Sequence, residues 1–228
     1  MTQDHCAPVV GLVGGIGSGK SALADWVSQH ASIEVLDGDQ LGHQALNEPG
    51  VTRKILDRFP NSQDPDNSNT NHCEHQVNRA ALAEIVFGDD LESESNRNDL
   101  EAIVHPFIRR RLTDLIHEHH GQDGCEGILV DAAVLLEAGW DDLCDHVVFV
   151  DVPEDVRLAR VDATRNWTRT DYLDRQASQW PLQRKQDTAD TSLDNSTSLE
   201  DSGPRLLSLI HSLRGRNGLN EKTSASCR

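Results

Sequence analysis

The stretch from Pro8 to Ser21 reads PVVGLVGGIGSGKS, an apolar run that ends in a glycine-rich loop and then delivers a lysine and a serine. Gly14 to Ser21 has the form G-x-x-x-x-G-K-S. Val9 to Val13 predict a buried strand, and the glycines after it let the chain turn through dihedrals that side chains disfavour. Backbone N–H groups in such a loop face inward and can cradle phosphate. Lys20 opens the following helix, where its ammonium reaches β- and γ-phosphates. The Ser21 hydroxyl is placed for Mg²⁺, and the helix N-terminus adds partial positive charge. A bare strand-to-helix turn gains nothing from a lysine and a hydroxyl at these offsets. The expected nucleotide-binding set is therefore Gly15, Ile16, Gly17, Ser18, Gly19, Lys20, Ser21 and Ala22, with ATP and Mg²⁺ as the implied ligands. Leu23, Trp26 and Val27 continue at helical spacing, so the unit is strand, loop and helix, the opening of an α/β domain with a parallel sheet.

The remaining composition narrows the class. A chain of 228 residues with 36% hydrophobic and 4% aromatic content suits one α/β domain. The formal charge of −17 argues against binding to nucleic acid or to an acidic membrane surface, both of which require clustered positive charge. The apolar run Ile128 to Leu136 is far too short for a membrane span and contains Asp131, and the N-terminus lacks a basic-then-apolar signal. A cytoplasmic protein is expected. Its five cysteines show no C-x-x-C pairing and read as reduced thiols. His72-Cys73-Glu74-His75 lacks a second ligand pair and is not expected to bind metal. Oligomeric state has no signature in the chain.

Further elements follow in order. Ile33 to Leu36 predicts a second strand entering Asp37-Gly38-Asp39, and ligands bind at that edge of open α/β sheets. Either acid could instead cap the next helix. Leu41 to Leu46 and Val51 to Phe59 read as helices broken at Pro49-Gly50. Residues 60 to 76 contain no Leu, Ile, Val, Phe, Lys or Arg and predict a mobile surface insertion. Helices are expected over Asn78 to Phe87 and, after an acidic loop, over Leu100 to His119, with a kink or restart at Pro106. Gly127 to Asp131 and His146 to Asp151 predict buried parallel strands, and Asp131 ends the first where a Mg²⁺-directed carboxylate would sit. Glu154 to Arg165 predicts a helix, Leu193 to Asn195 a short last strand and Ser198 to Leu213 a closing helix. Residues 215 to 228 are expected to form a frayed tail.

Residues 157 to 185 stand apart. They carry Arg157, Arg160, Arg165, Arg169, Arg175, Arg184 and Lys185 against Asp162, Asp171 and Asp174, a cationic island in an acidic chain. A flap of this charge closing over the loop would neutralise triphosphate and exclude water. A helix decorated with solvated arginines is the other reading. Arg165, next to Asn166-Trp167-Thr168, is the residue expected to meet phosphate.

These residues resemble one family, the dephospho-CoA kinases, from the glycine loop to about Leu199. The resemblance rests on GLVGGIGSGKS, VLDGD, NRAALAEIVFG, LEAIVHPFIR, VDAAVLLEAGWD, Gln179 and ADTSLDNS, in that order. It implies a P-loop fold of the nucleoside-monophosphate-kinase type: one domain over 1–214, a helical substrate-binding insertion near 40–120 and a lid near 160–185. It implies Asp39 as the base that accepts the ribose hydroxyl proton, catalysis shared with Lys20 and Arg165, and Asn195 near adenine. Asp37, Asp39, His105, Asp131, Leu135 and Glu137 fall on the side of the substrate dephospho-CoA, and Ser21 and Asp131 on Mg²⁺. The chain departs from the family pattern at His43, where arginine is usual, and at Ala133, where proline is usual. A kinase for a nucleoside monophosphate or another small alcohol is the nearest alternative. A non-enzymatic nucleotide switch would need an N-K-x-D stretch, which the sequence lacks.

Overall fold

The structure is a computed structural model and describes residues 7–63, 76–86, 91–120, 122–165 and 167–224. The strands are β1 (Val9–Val13), β2 (Ile33–Asp37), β3 (Gly127–Asp131), β4 (His146–Asp151) and β5 (Thr191–Asp194). Among the described residues they form one parallel sheet in the order β2-β3-β1-β4-β5. β1 is central and buried throughout, as is β3 beside it. Such strands read as unbroken apolar runs because helices cover both faces of a parallel sheet. Parallel pairing also brings the C-terminal ends of β1, β2 and β3 to one edge. Asp37 stands opposite Asp131 there, and the glycine loop leaves β1 at the same edge.

The helices are α1 (Lys20–His30), α2 (Gly38–Ala45), α3 (Pro49–Arg58), α4 (Arg79–Val86), α5 (Leu91–His120), α6 (Glu154–Arg165), α7 (Arg169–Ala177), α8 (Leu182–Thr188) and α9 (Leu199–Ser224). The chain divides into two compact units, Met1–Asp37 with Thr113–Arg228, and Gly38–Leu112. In the first, Val10, Leu12, Leu23, Val27, Leu129, Val148, Leu206 and Ile210 form the core. Each such side chain contributes roughly 1.5–3 kcal/mol over an exposed position. A side chain at Gly203 would overlap the Trp26 ring, so α9 lies against α1 at close range. The second unit has its own core of Ala45, Val51, Ile55, Phe59, Leu82 and Val86. No helix among the described residues is long and apolar enough to cross a membrane.

Several boundaries differ from the sequence expectation. Pro49 and Gly50 open α3 instead of separating two helices: Pro49 lies in the first turn, and the Glu48 carboxylate accepts from Val51 N at 2.7 Å. α5 begins at Leu91 and includes the acidic stretch expected to be a loop. Its inward positions there are polar, which hides the period: buried Asn96 accepts from Arg58 at 2.8 Å, and Arg97 donates to Val86 O at 3.2 Å. α5 also continues through Pro106, since proline removes one donor while Ile103, Val104 and Phe107 still pack. α9 runs on to Ser224. Of the 60–76 tract, Pro60–Ser62 is a 3-10 turn and Gln63 bridges Val77. Residues 64–75, with the His72–His75 cluster, lie outside the described residues.

Candidate active site

The glycine loop is shaped by close approaches. Gly17 has φ 78°, and a Cβ there would stand 2.6 Å from Arg157 O, so neither the dihedral nor the space admits a side chain. A Cβ at Gly15 would stand 2.5 Å from the Arg157 guanidinium, which therefore lies on the loop. Gly19 is the N-cap of α1, and the first intrahelical bond is Leu23 N to Gly19 O at 2.9 Å. The N–H groups of Lys20, Ser21 and Ala22 thus precede the helical ladder, the arrangement that binds anions. Lys20 Nζ folds back to 3.3 Å from Gly14 O and 3.4 Å from Gly15 O. Ser18 is fully buried, and its Oγ has no hydrogen-bond partner. An orphaned hydroxyl inside a loop of N–H donors fits a phosphate oxygen.

Beside the loop, Ser21 Oγ donates to Asp131 Oδ2 at 2.5 Å. A hydroxyl and a carboxylate held together are hard oxygen donors of the kind Mg²⁺ takes. Asp131 is 8% exposed at the end of β3. Asp37, opposite it in register, is exposed, and Asp39 follows in the first turn of α2, also exposed. His105 is half-buried on α5, and burial pushes its imidazole below the ordinary histidine value, which keeps it neutral at neutral pH. Leu135 is fully buried, and its side chain fills the space over Gly11. Glu137 Oε1 accepts from Trp180 N at 2.9 Å and pairs with Lys185 at 2.8 Å. The Cys144 thiol is pushed up to about 12, chiefly by burial and then by Asp141 and its acidic neighbours, which favours the thiol over the thiolate.

The described cations of 157 to 185 have different partners. Arg157 is 4% exposed and donates to Val152 O at 3.1 Å, to Gln176 at 2.8 Å and to the Tyr172 hydroxyl. Arg160 donates to Asn195 O at 2.9 Å and Ser18 O at 3.4 Å, bracing the loop. Arg175 lies over Trp167 and Arg184 over Trp180. Lys185 is fully buried. Arg165 ends α6, but its side chain and Asn166 lie outside the described residues. Asn195, 1% exposed, donates to Ser18 O at 2.8 Å and accepts from Ser202 at 2.6 Å, so its amide supports the loop from behind.

Comparison with known proteins decides the family. The dephospho-CoA kinase profile matches residues 8–201. The chain belongs to the dephospho-CoA kinase family. A dephospho-CoA kinase of Carboxydothermus hydrogenoformans is 32% identical over 208 residues, covering 89% of this chain and 93% of that protein. One from Latilactobacillus sakei is 32% identical over 213 residues, covering 92% and 98%. Among solved structures, a protein of Thermus thermophilus superposes with a TM-score of 0.72 at 28% identity, over 90% of this chain and 97% of that one. The dephospho-CoA kinase of Campylobacter jejuni gives 0.62 at 20% identity, over 92% and 98%, a likeness of fold.

Two supporting residues escaped the sequence reading of roles. Arg157 and Arg160 stood in the cationic island, but nothing local distinguishes an arginine packed on Gly15 from a solvated one. The one available signal was spacing: they are three apart on α6 and share a face.

Proposed function

We propose that the chain transfers the γ-phosphoryl group of ATP to the ribose 3′-hydroxyl of dephospho-CoA, giving coenzyme A. The observation that carries this reading is the Ser21–Asp131 pair beside a loop with an orphaned buried hydroxyl, in a chain of this family. The loop N–H groups and Lys20 hold the triphosphate and take up charge that develops on the transferring oxygens. Ser21 and Asp131 would hold Mg²⁺, which supplies charge neutralisation on the phosphate oxygens. Asp39, two residues past the sheet edge, takes the proton of the attacking hydroxyl, and neutral His105 serves the substrate side. Asn195 and Arg160 keep the loop in its binding shape. Little covalent chemistry falls to the protein, so rate comes from positioning and electrostatics.

A coupled ADP-release assay across dephospho-CoA, nucleoside monophosphates and shikimate tests the reading. Turnover is expected with dephospho-CoA; equal or faster turnover with another acceptor overturns the substrate assignment. Asp39→Asn is nearly isosteric and should lower kcat by ~10²-fold with the KM for ATP unchanged. Normal kcat in that variant removes Asp39 as the base, and Asp37→Asn measured in parallel shows whether its neighbour does the work.

A further inference from the structure

Lys185 has no access to solvent, yet it lies on α8 in the stretch whose charge suggests a phosphate-binding flap. Its ammonium has three N–H donors, and the structure supplies three acceptors: Ala133 O at 2.8 Å, Gln179 Oε1 at 3.0 Å and Glu137 Oε1 at 2.8 Å. Glu137 in turn accepts from Trp180 N through the same Oε1, while its Oε2 is buried with no hydrogen-bond partner. An ion pair whose ammonium is fully buried, and whose carboxylate is 14% exposed yet keeps one buried oxygen without a hydrogen bond, is a poor way to stabilise a fold, because apolar side chains of like volume do as well or better. The pair therefore calls for another reason.

Its location supplies one. Ala133 and Glu137 lie on the turn after β3, two and six residues past Asp131, whose carboxylate holds Ser21. Gln179 and Trp180 follow α7, and α7 carries Tyr172 and Gln176, which hold Arg157 against Gly15. One cluster thus joins the carboxylate side of the phosphate site to the helix that braces its loop. We propose that Glu137 and Lys185 are positioning residues, a buried ionic clamp that fixes α7 and the turn after β3 relative to the glycine loop in the geometry phosphoryl transfer needs. A charge pair suits this task where apolar contacts do not. Three directed bonds from one ammonium specify a single placement of two segments, whereas packing tolerates sliding. This rests on the kinase reading above.

The double variant Glu137→Met with Lys185→Met separates positioning from stability, since it removes both charges and leaves none buried alone. It should unfold near the wild-type temperature, hold the KM for ATP within about twofold and lose about tenfold or more in kcat, the ~1.4 kcal/mol that a small misplacement costs. Amide exchange over 169–185 should speed up in the same protein without substrate. The milder Gln179→Leu, which removes one acceptor of Lys185, should move kcat and exchange in the same direction by a few-fold. A stable double variant with full kcat and unchanged exchange, or a Gln179→Leu variant that lowers only the unfolding temperature, overturns the proposal. If wild type does not phosphorylate dephospho-CoA, the kinase reading fails on its own, and the exchange measurement still decides whether the clamp holds α7.

Discussion

In the glycine loop a single lysine, Lys20, opens α1 and turns its ammonium back to the carbonyls of Gly14 and Gly15 in its own segment. In the segment 157–185, the cations whose contacts are described take different partners. Arg157 and Lys185 are buried struts, Arg160 braces the loop, and Arg175 and Arg184 lie over tryptophan rings. Both stretches advertise phosphate binding by charge. The difference teaches that a cation held by the backbone of its own segment has a placement that the local sequence sets. A cation carried on a helix takes whatever partner the packing brings to it.

Four variants bear on that contrast. Lys20→Ala should cut kcat by about 10³-fold, in line with the removal of a preorganised donor to a transition-state charge, with little change in unfolding temperature. Near-normal ADP release at saturating ATP would erase the distinction between the two regions. Arg157→Met should do the reverse: thermal denaturation should register a loss of about 1–3 kcal/mol as Tyr172, Gln176 and Val152 O lose their donor. If its stability held while only ATP affinity fell, Arg157 would belong with the ligands and not with the struts.

Arg165→Lys tests the one island arginine assigned to phosphate. A guanidinium holds two oxygens in a fixed fork and an ammonium cannot, so kcat should drop about tenfold, the worth of one charge-assisted bond. Exchange over 160–185 should also slow when wild type binds an ATP analogue with dephospho-CoA. A fully active lysine variant with unchanged exchange would leave the island without any phosphate contact at that position. Arg184→Gln should be mildest, at most about 1 kcal/mol for the lost interaction with Trp180, and kinetic constants should hold. A larger kinetic effect would move Arg184 from surface decoration to the site.

How far each feature could be read from the chain follows from how local its cause is. Val9 to Ser21 was legible as strand, loop and helix, and the edge acids Asp37 and Asp131 were legible as strand ends, because the periods and breaks that encode them lie within a few residues. The helix start at Leu91 was not, since its inward face is Asn96 and its neighbours, and a polar inner face has no apolar period to find. Leu135 illustrates a third case: the resemblance put it beside the substrate, and packing over Gly11 buries it.

What the sequence determined by itself is the parallel α/β core and the phosphate loop, whose physics is short-range: glycine dihedrals, helix N–H groups and unbroken apolar strands. Tertiary structure alone decided which charges would be spent internally. Glu137 and Lys185 stand 48 positions apart, and Arg157 meets Gly15 across a far longer separation. An ion pair with a fully buried ammonium forms only when folding brings the two partners together as it removes water from the lysine, and no pattern in either neighbourhood announces that.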